Sequence, residues 1–232
     1  MDPIVDGLVT AFRLLISGDP EVYGIVLLSL VVSGVAVLVG AVTGIPFGAF
    51  IALRSFMGKR ALLSLLNTLT GLPPVVVGLL VYLMLSSSGP LGPLQLLYTP
   101  QAMVIAQLIM AFPIIASVTA STVGSVDRKL RLRALSLGAD SSQLTVTMLR
   151  EARTGVFTGI VLSFGAAISE VGAVMIVGGN MRWFTRTLTT AVVLETELGQ
   201  FGMALALGII LLILSFLINV ALTRLQWGGV RR

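Results

Sequence analysis

Five long apolar stretches divide this chain and constrain its fold more than any other feature. Each is long enough to cross the hydrocarbon core of a bilayer, which takes about 20 apolar residues in a helix. They cover about residues 22–52, 61–86, 101–124, 155–178 and 201–223. Only 11% of the residues are charged, whereas a soluble domain carries roughly 25%. Because so few charges cannot cover a soluble surface, we predict an all-α membrane protein with five transmembrane helices.

The distribution of basic residues predicts the orientation of these spans. Twelve of the 15 Lys and Arg residues follow the first, third or fifth span: Arg54, Lys59, Arg60, Arg128, Lys129, Arg131, Arg133, Arg150, Arg153, Arg224, Arg231 and Arg232. The other side holds Arg13, Arg182 and Arg186. Cytoplasmic loops collect positive residues. We therefore expect the N-terminus outside and the C-terminus in the cytoplasm, which requires an odd number of spans.

The two ends of the chain differ from the central transmembrane domain, which we place at residues 21–224. Residues 1–20 mix apolar and charged positions and predict an amphipathic segment at the membrane interface. A tail without regular structure is the alternative. The start lacks the basic region of a cleaved signal, so we expect the first span to be retained. Residues 225–232 form a basic tail.

The absence of His and Cys excludes several classes of function. Disulfides, metal sites built on His or Cys, and Ser-His-Asp catalysis are not available to this chain. It also lacks the G-x-x-x-x-G-K-[ST] loop that binds ATP phosphates. A membrane-embedded enzyme would need clustered acids at the interface, and the acids here are scattered. We predict a non-enzyme without its own metal or cofactor, whose basic excess reflects topology rather than nucleic-acid binding.

Small residues recur every four positions in two of the spans. The first span carries Ala36, Gly40, Gly44, Gly48 and Ala52, and the fourth carries Gly155, Gly159, Ser163 and Ala167. Within lipid, small residues allow two helix backbones to approach closely. Both faces therefore predict tight helix–helix contacts.

Prolines inside the second and third spans predict broken helices. Pro73 and Pro74 remove two backbone donors from the second span, and Pro113 removes one from the third, six residues after Gln107. Such breaks are tolerated where they face protein or a water-filled cavity. We predict that Pro73, Pro74 and Gln107 line a translocation path, with a passive kink as the alternative.

Glu170 is the only carboxylate well inside a predicted span. A charge at the bilayer centre costs about 3 kcal/mol on insertion scales, so its placement must be compensated. One interpretation is a structural or gate-shaping residue, hydrogen-bonded to a neighbouring helix. The other is a proton relay or a cation site, although a relay has no second carboxylate or His in any span. We include Glu170 among the path and gate residues.

The cytoplasmic segment of residues 125–155 has the pattern of two short helices joined by a tight turn. Asp127 follows Ser125 at the start of the first helix, and Gly138 ends it. Asp140 or Ser141 caps the second helix, with Gln143 in the capping-box region. The apolar docking points are Leu130, Leu135, Leu137, Leu144 and Met148. We predict a helical hairpin of about residues 125–153 beneath the membrane.

This hairpin resembles the coupling loop of ABC-importer permeases, whose motif reads E-A-A-x-x-x-G-x9-I-x-L-P. Gly138 matches the glycine and Ala134 the third position. The sequence departs from the motif at the remaining positions, which are occupied by Leu132, Arg133, Met148, Arg150 and Glu151.

Three further segments extend the resemblance over most of the chain. Residues 72–78, Leu-Pro-Pro-Val-Val-Val-Gly, look like the second span of molybdate- and tungstate-type permeases. Residues 168–173, followed by Gly178-Gly179-Asn180, are similar to their Gly-Glu-Phe-Gly-Ala…Gly-Asn segment. Residues 185–196 most resemble the tungstate branch.

The resemblance implies a type I ABC-importer permease in the prokaryotic inner membrane. Such a permease is a homodimer that binds two ATPase subunits, which carry ATP and Mg²⁺, and an external binding protein loaded with an oxyanion. Tungstate is favoured, with molybdate or sulfate as alternatives. A secondary transporter or channel is the alternative of another class, but the paired charges or inverted repeat that it predicts are not visible.

The resemblance also assigns residues to two contact surfaces. It implies that Leu135, Gly138, Ala139 and Asp140 insert into the ATPase. On the outer side, the segment of residues 179–199 contains Arg182, Arg186 and, among its threonines, the four at positions 185, 187, 189 and 190. We predict that Arg182, Arg186 and Thr187 contact the anion or the binding protein.

Overall fold

The computed structural model describes residues 3–228, and every regular element in this range is helical. The α-helices are α1 (Pro3–Ser17), α2 (Pro20–Leu53), α3 (Lys59–Leu69), α4 (Pro74–Leu85), α5 (Pro100–Gly124), α6 (Arg128–Ser136), α7 (Ser141–Glu151), α8 (Arg153–Ile168), α9 (Gly172–Gly178), α10 (Leu188–Glu197) and α11 (Phe201–Gly228). A 3-10 turn at Gly92–Leu94 precedes α5. The predicted tail of residues 225–232 begins within α11, and its last four residues lie outside the described range.

Three of the helices are long and apolar enough to cross a membrane by themselves: α2, α5 and α11. Two bent pairs pass the same test, α3 with α4 at 98° and α8 with α9 at 58°. The described residues thus contain three straight spans, or five when each bent pair counts as one. The predicted all-helical class is confirmed, and each predicted stretch corresponds to one helix or one bent pair.

The break between α3 and α4 lies where the two prolines predict it. Pro73 is the N-cap of α4 and Pro74 is its first residue, where the missing N–H breaks no intrahelical hydrogen bond. The expected break at Pro113 is wrong, because α5 continues through this residue. A single proline removes one donor, whereas the second span combines two prolines with Gly71. The other break falls at residues 169–171, where the sequence has no proline.

Both faces of small residues pack against α5, as predicted. On α2, a side chain added at Gly48 would collide with the carbonyl oxygen of Ala116. On α8, one added at Gly155 would collide with Thr122. Helices α2 and α8 therefore approach α5 with only glycine at the closest points, and α5 lies at the centre of the bundle.

The predicted N-terminal helix forms, but its buried face is not its most apolar one. Ala11 and Leu14 of α1 pack against Leu207 and Ile210 of α11. The apolar side chains that face outward are Ile4, Leu8, Val9, Phe12 and Ile16. An exposed row of this kind fits contact with lipid.

Candidate functional site

A cavity of about 110 Å³ lies at the break between α3 and α4, bounded by α5 and the end of α8. It brings together Pro74, Gln107 and Glu170, three of the four residues predicted for the translocation path. Pro73, the fourth, is the N-cap of α4 and is absent from the lining. The other lining residues are Leu69, Thr70, Leu72, Met110, Ala111, Ile114, Ser163, Ala166 and Ala167.

Gln107 is 3% exposed and is oriented by a hydrogen bond. Its Nε2 donates to the carbonyl oxygen of Ala167 at 2.8 Å, which fixes the amide because only the NH₂ group can donate there. Its Oε1 has no partner among the described residues, and neither does the Oγ of Ser163, which is 1% exposed. A buried polar atom left unpaired costs about 1–3 kcal/mol. The sequence assigned Ser163 only to the small-residue face and did not indicate that it lines this cavity.

Glu170 lies in the break between α8 and α9, not within a continuous helix. Its Oε1 accepts from the backbone N–H of Ala173 at 3.0 Å, which caps the first turn of α9. Its carbonyl oxygen accepts from the Oγ1 of Thr189 at 2.8 Å. The half-buried side chain also lines the cavity. The predicted structural role therefore has specific hydrogen bonds, and the residue still faces the candidate path.

Arg182 and Arg186, which the sequence predicts on the outer side, are paired with an acid at the start of α2. Arg182 donates to Glu21 through Nε at 2.8 Å and through a terminal nitrogen at 2.5 Å. Arg186 contacts the same carboxylate at 3.4 Å. The hydrogen bond to Glu21, and secondly its negative charge, raise the pKa of Arg182 above its ordinary value. These guanidinium groups fasten the outer loop to α2, so their charge is partly neutralised.

Four threonines within residues 185–190 are buried, which the sequence did not indicate: Thr185, Thr187, Thr189 and Thr190. Thr187 caps α10 in a capping box with Thr190, and Thr185 donates to the carbonyl oxygen of Gly178 at 2.6 Å. Their hydroxyls therefore bond within the protein. The spacing of Thr187 and Thr190 before an apolar run was the signal for α10.

The exposed side chains beside Arg182 are mainly apolar. Met181, Trp183 and Phe184 are all exposed in the same loop. The guanidinium carbon of Arg182 lies 5.8 Å from the centre of the Trp183 ring. The outer loop thus presents an aromatic surface with one paired cation.

The hairpin of residues 125–153 forms with the caps that the sequence predicts. Asp127 caps α6, and Asp140 with Gln143 forms a capping box at α7. Gly138 has a φ of +81°, a conformation that glycine adopts without steric cost. Of the predicted coupling residues, Leu135, Gly138 and Asp140 are exposed and Ala139 is half-buried.

The predicted docking points of the hairpin divide into two groups. Leu144 and Met148 are buried in a cluster with Val123 and Val156, with Leu130 at its edge. Leu135 and Leu137 point outward, and Leu137 is 88% exposed. One side of the hairpin is therefore anchored to the bundle, and the tip is free to contact another protein.

Basic side chains join this hairpin to the end of α2. Arg131 donates to the carbonyl oxygen of Leu53 at 2.7 Å, and Lys59 donates to that of Ala52 at 2.9 Å. Both satisfy carbonyl groups at a helix C-terminus, where cations are favoured. Arg54 donates to the Oγ of Ser141, the first residue of α7, at 2.7 Å. The sequence indicated only their cytoplasmic side, not these bonds.

Comparison with known proteins gives concordant matches. Residues 44–226 match the model of the family described as binding-protein-dependent transport system inner membrane component. A tungstate uptake system permease protein of Peptoclostridium acidaminophilum is 42% identical over 97% of this chain and 99% of its own. A molybdenum transport system permease protein of Escherichia coli is 32% identical over 90% of this chain and 96% of its own. The inward-facing MetNI methionine ABC transporter shares the fold, with a TM-score of 0.69 at 18% identity, over 91% of this chain and 95% of the matched chain.

Proposed function

The chain belongs to the family of binding-protein-dependent transport system inner membrane components, and from that premise we propose that it is the permease subunit of an ATP-driven tungstate importer. Members of this family are transport components rather than enzymes. Family membership implies an ATPase subunit and a substrate-binding protein as partners, and an oxyanion as substrate. ATP and Mg²⁺ belong to the ATPase, and this chain provides the path through the membrane.

The sequence identity to the tungstate permease supports the choice of tungstate as the substrate. That relative is 42% identical over nearly its whole length, whereas the molybdenum permease is 32% identical. The similarity to the tungstate permease includes the parts on which the proposed mechanism depends: the proline break, the Glu170 segment and the hairpin. Molybdate and sulfate are the competing oxyanions.

The proposed path passes the cavity at the two helix breaks. Pro74, Gln107 and Glu170 line it, and Pro73 sets the start of α4 beside it. Breaks in transmembrane helices commonly lie where a substrate path crosses the membrane. A movement of α3 or α8 relative to α5 would change the size of this cavity, and therefore we assign these residues to the gate.

The proposed coupling surface is the tip of the hairpin. Leu135, Gly138, Ala139 and Asp140 contact the ATPase, together with Leu137. Movement of the ATPase then reaches the bundle through Leu144 and Met148, which pack against residues of α5 and α8. It also reaches α2 through Arg54 and Arg131.

The proposed assembly is a homodimer with two ATPase subunits, with the N-terminus outside and the C-terminus in the cytoplasm of a prokaryotic cell. The asymmetry of Lys and Arg supports this orientation. The outer loop around Arg182 contacts the binding protein through Trp183 and Phe184, while Arg186 and Thr187 hold this loop in position. The anion itself is selected mainly by the binding protein.

Reconstitution tests this function directly. The permease is purified with its partner ATPase and binding protein, and uptake of tungstate, molybdate and sulfate into vesicles is compared. We expect ATP-dependent uptake with tungstate preferred. Uptake down a gradient without the ATPase would instead support a secondary transporter or channel. A preference for sulfate or molybdate would contradict tungstate as the substrate.

A further inference from the structure

We propose that the cavity between the α3–α4 break, α5 and α8 binds a small monovalent cation. This site goes beyond the transport of an oxyanion and does not depend on which oxyanion is carried. It rests on three properties of the lining: unpartnered oxygen atoms, converging helix C-termini and the absence of a basic side chain.

Each polar side chain that faces the cavity offers it an oxygen that can accept a hydrogen bond or coordinate a cation, and only the hydroxyl of Ser163 can also donate. Gln107 Oε1 and Ser163 Oγ are buried without a partner among the described residues, and Glu170 adds a carboxylate. The amide of Gln107 cannot rotate to offer its NH₂ group instead, because that group is bonded to Ala167. Thr70 gives its hydroxyl hydrogen to the carbonyl oxygen of Asn67 at 2.7 Å, which leaves only lone pairs on its oxygen.

Two helices end at this cavity with their C-termini. Helix α3 ends at Leu69 and is capped by Thr70, and both residues line the cavity. Helix α8 ends at Ile168, and Ala166 and Ala167 of its last turn line the opposite side. The C-terminus of a helix carries partial negative charge and favours cations. In transporters with broken helices, such ends and unwound carbonyl groups coordinate Na⁺ or H⁺.

The N-terminus of α4 contributes little positive charge to balance the C-termini of α3 and α8. Its first residue, Pro74, has no N–H group. The N–H groups of Val76 and Val77 both donate to the carbonyl oxygen of Pro73, at 3.0 and 3.2 Å. Few donors therefore remain to neutralise the acceptors on the other walls.

The charge balance favours a cation over water alone or an anion. The lining residues, all within the described part of the chain, include Glu170 but neither Lys nor Arg. The N–H of Ala173 compensates only part of the charge of the Glu170 carboxylate. Water would satisfy the remaining hydrogen bonds but would bring no positive charge to this carboxylate or to the two negative helix ends. An oxyanion would meet the same charge sign. A single carboxylate suits a monovalent ion, since divalent sites usually combine several carboxylates.

Binding of radiolabelled Rb⁺ and Na⁺ to the purified full-length chain in nanodiscs tests this proposal. We expect saturable binding of one of these ions that falls about tenfold or more in Glu170→Gln and in Ser163→Ala. The matched controls are Glu151→Gln, an exposed carboxylate on α7, and Thr119→Val, which removes another buried hydroxyl without a partner. Both controls should bind the ion as the unmodified chain does.

Thermal unfolding provides a second readout. Chloride salts of Na⁺ and K⁺ should raise the unfolding temperature above that in N-methylglucamine chloride at equal ionic strength, and the cavity variants should lose this difference. Ser163→Ala breaks no protein hydrogen bond, so it remains informative if Glu170→Gln fails to fold. Absence of saturable binding, or binding that Ser163→Ala leaves unchanged, would overturn the proposal. Neither outcome bears on whether tungstate is transported.

Discussion

Three side-chain hydrogen bonds hold the break between α8 and α9. Gln107 reaches the carbonyl oxygen of Ala167 from α5, Glu170 caps Ala173, and Thr189 reaches back from α10 to Glu170. These bonds join residues in or next to the break to α5, α9 and α10. Gln107 and Glu170 thus fix the backbone where they also face the cavity, so substitutions there affect structure and path together.

Substitutions at Thr187 can distinguish a structural role of this residue from a role in contacting the binding protein. Because it caps α10 and is 4% exposed, Thr187→Ala should lower the free energy of unfolding by about 1 kcal/mol. Thr187→Ser keeps the hydroxyl and should restore most of that loss. Thermal unfolding of the purified permease measures the difference. Affinity for the binding protein, corrected for folded protein, should stay unchanged; a selective loss of affinity would assign Thr187 to the contact surface.

At the scale of elements, the packing of α2 on α5 depends on glycine at the points of closest approach. Gly48 faces the backbone of Ala116, whereas a Cβ added at Gly34 on the same helix would have no atom of a neighbouring helix within 4 Å among the described residues. The two positions thus form a matched pair in one helix. They distinguish the need for close approach from a general preference for glycine in membrane helices.

Gly48→Leu should therefore destabilise the bundle, and Gly34→Leu should not. Overpacking costs typically about 1–3 kcal/mol, and a collision with backbone cannot be relieved by a rotamer change. We expect Gly48→Leu to lower the unfolding temperature and the folded yield. Gly34→Leu should leave both close to the values of the unmodified chain. Equal effects of the two substitutions would mean that helix approach does not limit stability.

The hairpin allows coupling to be separated from folding. Leu137 is 88% exposed, while Leu144 is 7% exposed within the cluster that anchors the hairpin. Leu137→Asp should leave the unfolding temperature unchanged but abolish substrate-stimulated ATPase activity of the complex. Leu144→Ala should lower stability by about 2–5 kcal/mol. If Leu137→Asp keeps full stimulation, the tip is not the coupling surface.

The sequence predicts the hairpin well because its signals are local. Asp127, Gly138 and the pair Asp140 and Gln143 act within a few residues of their own positions. It does not predict the break at residues 169–171, which has no proline and depends on Gln107, distant in the chain. The pairing of Arg182 with Glu21 joins residues 161 positions apart, so the outer loop could be assigned to its side but not to its contacts.

At the scale of the whole molecule, the bundle is organised around α5 and leaves many large apolar side chains exposed. They lie on α2, α4 and α11, among other elements. In a membrane these faces contact lipid or another copy of the chain, and a homodimer would cover part of them.

The assembled transporter should contain two copies of this chain and two ATPase subunits. A path between two permease copies requires both, because each bundle supplies one wall. Native mass spectrometry of the purified complex measures the stoichiometry. One permease copy for each assembled transporter would exclude a central path between copies and would confine transport to the single bundle.

The fastening of the hairpin to α2 has a mechanical consequence. Arg131 and Arg54 join α6 and α7 to the C-terminal end of α2, and at Gly48 the backbone of α2 approaches the carbonyl oxygen of Ala116 on α5. A displacement of the hairpin would thus be transmitted through rigid helices to α5, the helix that carries Gln107. A displacement of the hairpin and a change in the cavity beside Gln107 would then occur together.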